Sequence, residues 1–311
     1  MRKITQFTII QSIVDFSNRV TPPGFQGMSI GKVMVFFKTA LAKGIIFHRA
    51  AAMTYRMFFA LIPLLMTLFA AISFLGADVR LTILDFIQSI VPEYVWPAIS
   101  NMITGVVNNQ NGTLLSFSLL FSIGTLVASI NASINILNTT YYNIGRRKFP
   151  RQLRVISMLI LIWFLIILAA VAVFIIASAC LSNIDEYVFK SPKLLSTCIV
   201  VAKWLLLYLL VYLFISSFYY LAPASHKHFK FFSVGSTFAT ISMLLVLAVM
   251  NFYFSNFGNY NALYGSLGAV FAILMWLYWN NIFILVGYDL NVSIATAKRA
   301  DIRSSIPPKK K

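Results

Sequence analysis

The chain is 311 residues long, 59% hydrophobic and only 11% charged, with a mean hydropathy of +0.83. A soluble domain of this size needs far more charge to cover its surface, so the composition excludes one and selects an integral membrane protein. The 25 Lys and Arg against 8 Asp and Glu leave a net charge of +17, and where those charges lie decides whether they speak for nucleic acid or for membrane topology.

The first residues, MRKITQFTIIQSIVDFSNRV, begin basic but have no clean apolar core and no small-residue cleavage site, so no signal peptide is expected. Residues 28–49 follow as MSIGKVMVFFKTALAKGIIFHR. Val33, Phe37, Leu41 and Gly44 share one helical stripe there, with Lys32 and Lys43 roughly opposite. Two readings fit: an interfacial helix on the cytoplasmic surface, or a packed helix leading into the first span.

A hydrocarbon core of about 30 Å needs about 20 apolar residues in a helix, so charge-free stretches mark the spans. The first is expected over 50–76, with Pro63 inside to bend it. Residues 81–107 are apolar but carry Asp85, Pro92, Glu93 and Pro97. They predict a broken amphipathic hairpin outside the membrane, with Tyr94 and Trp96 at headgroup level. Further spans are expected over 113–138, 155–181 and 194–221, the last interrupted only by Lys203, which can snorkel. No charge appears from 231 to 288. As one helix, at about 1.5 Å per residue, that stretch would run roughly 87 Å, too long for one crossing. The polar, asparagine-rich segment 251–266 divides it into spans over 231–254 and 264–292.

The expected fold is therefore an all-α integral membrane protein, a bundle of about six transmembrane helices plus interfacial amphipathic helices. Its parts are a cytoplasmic N-terminal segment (1–49), a six-span membrane domain (50–297) and a basic cytoplasmic tail (298–311), the tail disordered and touching anionic lipid. With the N-terminus inside, 21 of the 25 basic residues fall on the cytoplasmic side. Arg80, Lys190 and Lys193 fall outside. That asymmetry gives both termini cytoplasmic, in a bacterial cytoplasmic (inner) membrane. Topology and anionic headgroups account for the +17, and no motif speaks for nucleic acid.

Polar residues at membrane depth are candidates for function. Arg56, about two turns into the first span, and Asp289, near the inner end of the last, lie close enough to the same boundary to pair. The alternatives are a structural ion pair and an Arg56 that snorkels to lipid phosphate. In the second span Gly124, Ala128 and Ala132 form a small-residue stripe suited to close helix packing. Asn131, Asn135 and Asn138 form a polar ridge, either lining a hydrophilic path or bonding between helices. Asn291 adds a further polar group beside Asp289.

His226-Lys227-His228 lacks carboxylate partners, and a solvated loop is expected rather than a metal site. His48 lies at a cytoplasmic boundary. Cys180 and Cys198, near the outer ends of the third and fourth spans, are expected as free thiols. No catalytic, cofactor or metal constellation is expected: GxSxG, HExxH and phosphate-loop motifs are absent.

Three segments carry a family resemblance. They are RAAAMTYRMFFALIPLLMTL (49–68), LNTTYYNIGRRKFPRQLR (137–154) and YGSLGAVFAILMWLYWNNIFILVGYDLNVSI (264–294), the last with Trp276 and a Gly-x-acidic-Leu-Asn close. The chain resembles the YihY/BrkB family of bacterial inner-membrane proteins, labelled virulence factor or envelope-integrity proteins, with some members formerly labelled ribonuclease BN. The resemblance implies six helical spans and adds little on activity. It places Glu where this chain has Asp289, and a small or neutral residue where it has Arg56. Three functions are open. The first is a non-enzymatic protein supporting envelope integrity through lipid, a membrane-protein partner or a second copy of itself. The second is a transporter or lipid translocase with a path along spans one, two and six, and the third is an enzyme acting on lipid-linked substrates.

Overall fold

In hydrocarbon every backbone amide and carbonyl must be satisfied within its own segment, so the apolar stretches fold as helices. The computed structural model describes residues 17–90, 96–107, 110–140, 142, 145–183, 192–224, 230–256 and 266–305. Among them all regular structure is helical: α1 (Ile30–Lys43), α2 (Ile46–Ile72), α3 (Ala77–Ile90), α4 (Trp96–Val107), α5 (Gly112–Asn138), α6 (Phe149–Asn183), α7 (Pro192–Leu221), α8 (Val234–Asn256) and α9 (Ser266–Ser305). Among the described residues five helices are long and apolar enough to cross a membrane: α2, α5, α6, α8 and α9. α7 contributes a shorter apolar stretch, Leu205–Leu221.

The helices that follow the expected spans depart from them at their ends. α6 begins at Phe149, so the basic residues Arg151 and Arg154 sit on its first turns rather than in a loop. α9 runs 40 residues to Ser305, well past the expected end of the last span and into the segment read as a disordered tail. Tertiary packing holds it there: α1 lies along its C-terminal half, burying Val33 against Ile294 and Ala297. Lys32 Nζ meets Asp301 Oδ1 at 2.7 Å on the exposed rim. The buried line of α1 is Val33 and Ala40; Leu41 of the expected stripe is exposed.

α2 passes through Pro63 as one continuous helix, with the Thr67 hydroxyl donating to the Pro63 carbonyl at 2.8 Å. α3 and α4 form the expected broken pair after α2. Ile83, Leu84, Ile87, Trp96 and Ile103 pack onto Phe69 and Ile72 at the end of α2. Tyr94 lies outside the described residues.

α2 packs against α5 and α9, α9 against α8, and α7 against α6 and α8. The main core takes Ala50 and Met53 from the start of α2, Ile134 and Leu137 from the end of α5, Phe218 and Tyr219 from the end of α7, and Leu285 and Tyr288 from α9. It therefore sits at the end of the bundle that carries the basic loops. Elsewhere the helices turn large apolar side chains outward, as with Phe117, Leu120, Leu161 and Leu245, the arrangement suited to lipid.

The tightest crossing is between α8 and α9. A Cβ added at Gly235 would lie 2.0 Å from the Gly287 carbonyl oxygen, and one at Gly287 would lie 2.5 Å from that of Gly235. Only glycine lets the two backbones meet. By contrast Gly124 has open space around its Cβ position, and Ala128 is exposed. The expected small-residue stripe therefore faces outward, and α5 buries Ser118, Ser122, Ser129 and Ser133 instead. Gly235→Ala is expected to lower the thermal midpoint of the purified protein, at a cost of about 1–3 kcal/mol for forced backbone displacement. Gly124→Ala in the same assay is expected to leave it unchanged or raise it.

Candidate functional site

Asp289 is 1% exposed at its side chain and accepts from Arg49 Nη1 at 3.1 Å. Arg49, 10% exposed, also donates from Nη2 to the Ile136 carbonyl at 3.1 Å and from Nη1 to the Gly44 carbonyl at 3.5 Å. One guanidinium thus ties α2 to α9, to α5 and to the α1–α2 turn. A single partner for a buried carboxylate is the least that makes its burial tolerable.

The expected partner, Arg56, does not make this pair: it is exposed. The register of two antiparallel helices decides the matter. Thr54 Oγ1 accepts from Asn281 Nδ2 at 3.0 Å, which fixes α2 against α9. That alignment puts Arg49 within about 5 Å of the level of Asp289, while Arg56 lies about 10 Å further along the axis.

The Gly-x-acidic-Leu-Asn segment of α9 performs three jobs on two faces. Gly287 permits the α8 crossing, Asp289 pairs with Arg49, and Asn291 caps α8. Asn291 Oδ1 accepts from the Gly235 amide at 2.9 Å, and its Nδ2 donates to Ser233 Oγ at 2.9 Å. Those contacts satisfy donors that the start of a helix leaves without intrahelical partners. Tyr219 of α7 completes the cluster: its hydroxyl donates to the Ile284 carbonyl, and its ring meets Tyr288 edge-on at 5.6 Å.

The asparagine ridge of α5 divides. Asn138 is buried and bonds between segments, donating from Nδ2 to the Ala222 carbonyl at 3.2 Å and accepting the Ala224 amide at 3.2 Å. Arg147 closes the same helix end, reaching the carbonyls of Leu221 at 2.9 Å, Ala222 at 3.1 Å and Pro223. Burial lowers the Arg147 pKa from its ordinary value, against the opposing influence of Tyr288, and the group stays cationic. Asn131 accepts from Gln152 Nε2 of α6 at 3.3 Å. Asn135 is half-buried and gives its backbone carbonyl to the Thr139 amide at 3.0 Å. His226 and His228, and the side chains of Cys180 and Cys198, lie outside the described residues.

Sequence reasoning missed Arg49, Arg147, Tyr219 and Gly235. Arg49 was legible in one respect, since it opens the segment RAAAMTYR that carries the resemblance. Beside it a cleft of about 410 Å³ is lined by Lys43, Gly44, Ile45, His48, Arg49, Ala52, Ile136, Thr139 and Thr140.

Long lipid-facing helices held by buried interhelical polar bonds define a multi-pass, all-α integral membrane protein. The family model described as virulence factor BrkB matches residues 39–311, and the chain belongs to that family. It is 25% identical over 253 residues to the ribonuclease-like protein YfkH of Bacillus subtilis, covering 81% of this chain and 90% of that one. It is 24% identical over 269 residues to a UPF0761 membrane protein of Xanthomonas campestris, covering 85% of this chain. The chain spans only 60% of the length of that relative. A UPF0761 membrane protein of Coxiella burnetii is 24% identical over 263 residues, covering 80% of this chain and 87% of that one. No solved structure matches.

Replacing Asp289 by Asn or Arg49 by Met strands the other half of the pair. Either is expected to cost about 3–5 kcal/mol, read as a fall in thermal midpoint and in yield of folded protein. The double variant Arg49→Met with Asp289→Leu is expected to recover part of that loss, and Arg56→Gln to change stability little.

Proposed function

We propose that this protein is a non-enzymatic component of the bacterial cytoplasmic membrane that supports envelope integrity through lipid or membrane-protein interactions. The observation that carries the reading is how the buried polar side chains are used. Arg49, Asp289, Asn138, Asn281 and Asn291 are each engaged in bonds that join one helix to another or close a helix end. Groups committed in this way hold a bundle in one arrangement. The ribonuclease-like name of the Bacillus relative is not carried over, because no constellation in this sequence supplies such chemistry.

The basic loops fit a topology with both termini in the cytoplasm, next to anionic headgroups. A reporter active only in the cytoplasm, fused after Lys311, is expected to be active; an inactive fusion in membrane-inserted protein would reverse the topology.

A second reading is a transporter or lipid translocase with a path along α2, α5 and α9. It draws on buried polar atoms with no hydrogen-bond partner among the described residues: Ser133 Oγ, Trp276 Nε1, Asn280 Oδ1 and Asn281 Oδ1. Such atoms call for water or cargo. Proteoliposomes of the purified chain, assayed with ions, small metabolites and labelled lipids, separate the two. The scaffold reading expects no flux. Flux that disappears in a folded Asp289→Asn variant would replace it with the transporter.

A further inference from the structure

An arginine inside a membrane span needs an anion, and Arg49 shows how this bundle supplies one: Asp289 at 3.1 Å, with two backbone carbonyls accepting further bonds. Arg56 has no such supply. It stands well inside α2, about 15 Å from the start of the helix at Ile46, and it is exposed. Among the described residues nothing makes an ion pair or hydrogen bond with it. The described carboxylates cannot reach it either. Asp289 and Asp301 are taken by Arg49 and Lys32, and Asp78 and Asp85 lie on α3, past the far end of α2. A second copy of the chain offers the same described carboxylates, so self-association would bring cation to cation.

The surface around Arg56 suits a helix. Ala52, one turn nearer the start of α2, and Thr139, at the end of α5, line the same cleft. Arg56 and the outer flank of α5 below Thr139 therefore face the same way. That flank carries Ala132 and the exposed Ala128, with Gly124 beyond, whose Cβ position is open space. The Thr67 hydroxyl meets Ser122 Oγ at 3.3 Å. Counted from that bond along the two antiparallel helices, Arg56 is level with Ser133, next to Ala132. On the α2 side Tyr55 and Phe59, both more than half exposed with ring centroids 4.8 Å apart, extend the surface as apolar. Small side chains let a neighbouring helix approach closely in lipid. Such a stripe by itself names no partner; the uncompensated cation beside it does.

We propose that this face of α2 and α5 docks a transmembrane helix of another membrane protein, one that carries a carboxylate at the depth of Arg56. Headgroup phosphates lie toward the start of α2, whereas a carboxylate on a neighbouring helix stands level with Arg56 and pairs with it out of water. The inference rests on the membrane-protein arm of the proposed function, and it states where the partner binds and what it carries.

The full-length chain, donor-labelled, is reconstituted in phosphatidylcholine vesicles with an acceptor-labelled transmembrane peptide of leucine and alanine. The peptide carries one glutamate at the matching depth, or glutamine in its place, and energy transfer reads association. The glutamate peptide is expected to associate about tenfold more tightly, the scale of one charge pair away from water. Arg56→Gln, checked for a wild-type thermal midpoint, is expected to remove that preference, and Arg56→Lys to keep most of it. Equal association of the two peptides with the wild type overturns the site, as does a preference that survives Arg56→Gln. A preference that vanishes when phosphatidylglycerol is added assigns Arg56 to a lipid phosphate; the helix partner is then overturned and the lipid arm of the proposed function stands. Energy transfer between labelled copies of the chain that depends on Arg56 overturns the proposal in favour of self-association. None of these outcomes bears on flux, which tests the proposed function separately.

Discussion

A carboxylate carried into a membrane-spanning bundle has to bring its counter-charge with it, and here the pair between Asp289 and Arg49 meets that requirement. Desolvating two charges costs more than their attraction returns unless further bonds complete their shells. Arg49 donates such bonds to the carbonyls of Ile136 and Gly44, so the segments that accept them are held in place. The start of α2, the end of α5 and the second half of α9 meet around one guanidinium. The largest buried side chains of the main core, Tyr219, Tyr288 and Met53, pack around the same point.

The remaining buried polar groups follow the same logic. Each helix end at this side of the bundle exposes backbone groups that water would otherwise satisfy. Asn291 and Ser233 close the start of α8, and Asn138 with Arg147 close the end of α7. The side chains that sequence alone marks as intramembrane candidates are thus mostly backbone caps and helix ties. This distribution favours a protein that keeps one arrangement, and the BrkB family membership is compatible with that. The exceptions include Ser133 Oγ, Thr140 Oγ1, Trp276 Nε1 and Asn280 Oδ1, which are buried without a hydrogen-bond partner among the described residues.

Much of the architecture is legible in the residues. Charge-free runs long enough to cross hydrocarbon can only be helices, so their approximate limits follow from composition and length; the count of six exceeds the five long apolar helices among the described residues by the fourth expected span, where α7 has only the shorter stretch Leu205–Leu221. Pro97 stands in the first turn of α4, and the segment Gly287 to Asn291 reads as special before its geometry is known. Helix ends were less legible. α9 continues to Ser305 because α1 packs along it, a contact between residues far apart in the chain.

What the sequence determined by itself is the class of protein and the rough position of its apolar helices, because hydropathy and charge act locally along the chain. What only the tertiary structure decided is which polar residue meets which. Arg49 and Arg56 are seven residues apart on nearly the same face of one helix, and each is a chemically adequate partner for Asp289. The choice between them rests on how far α2 slides past α9, and Thr54 against Asn281 marks that register. These are contacts across helices, and periodicity within one helix carries no information about them.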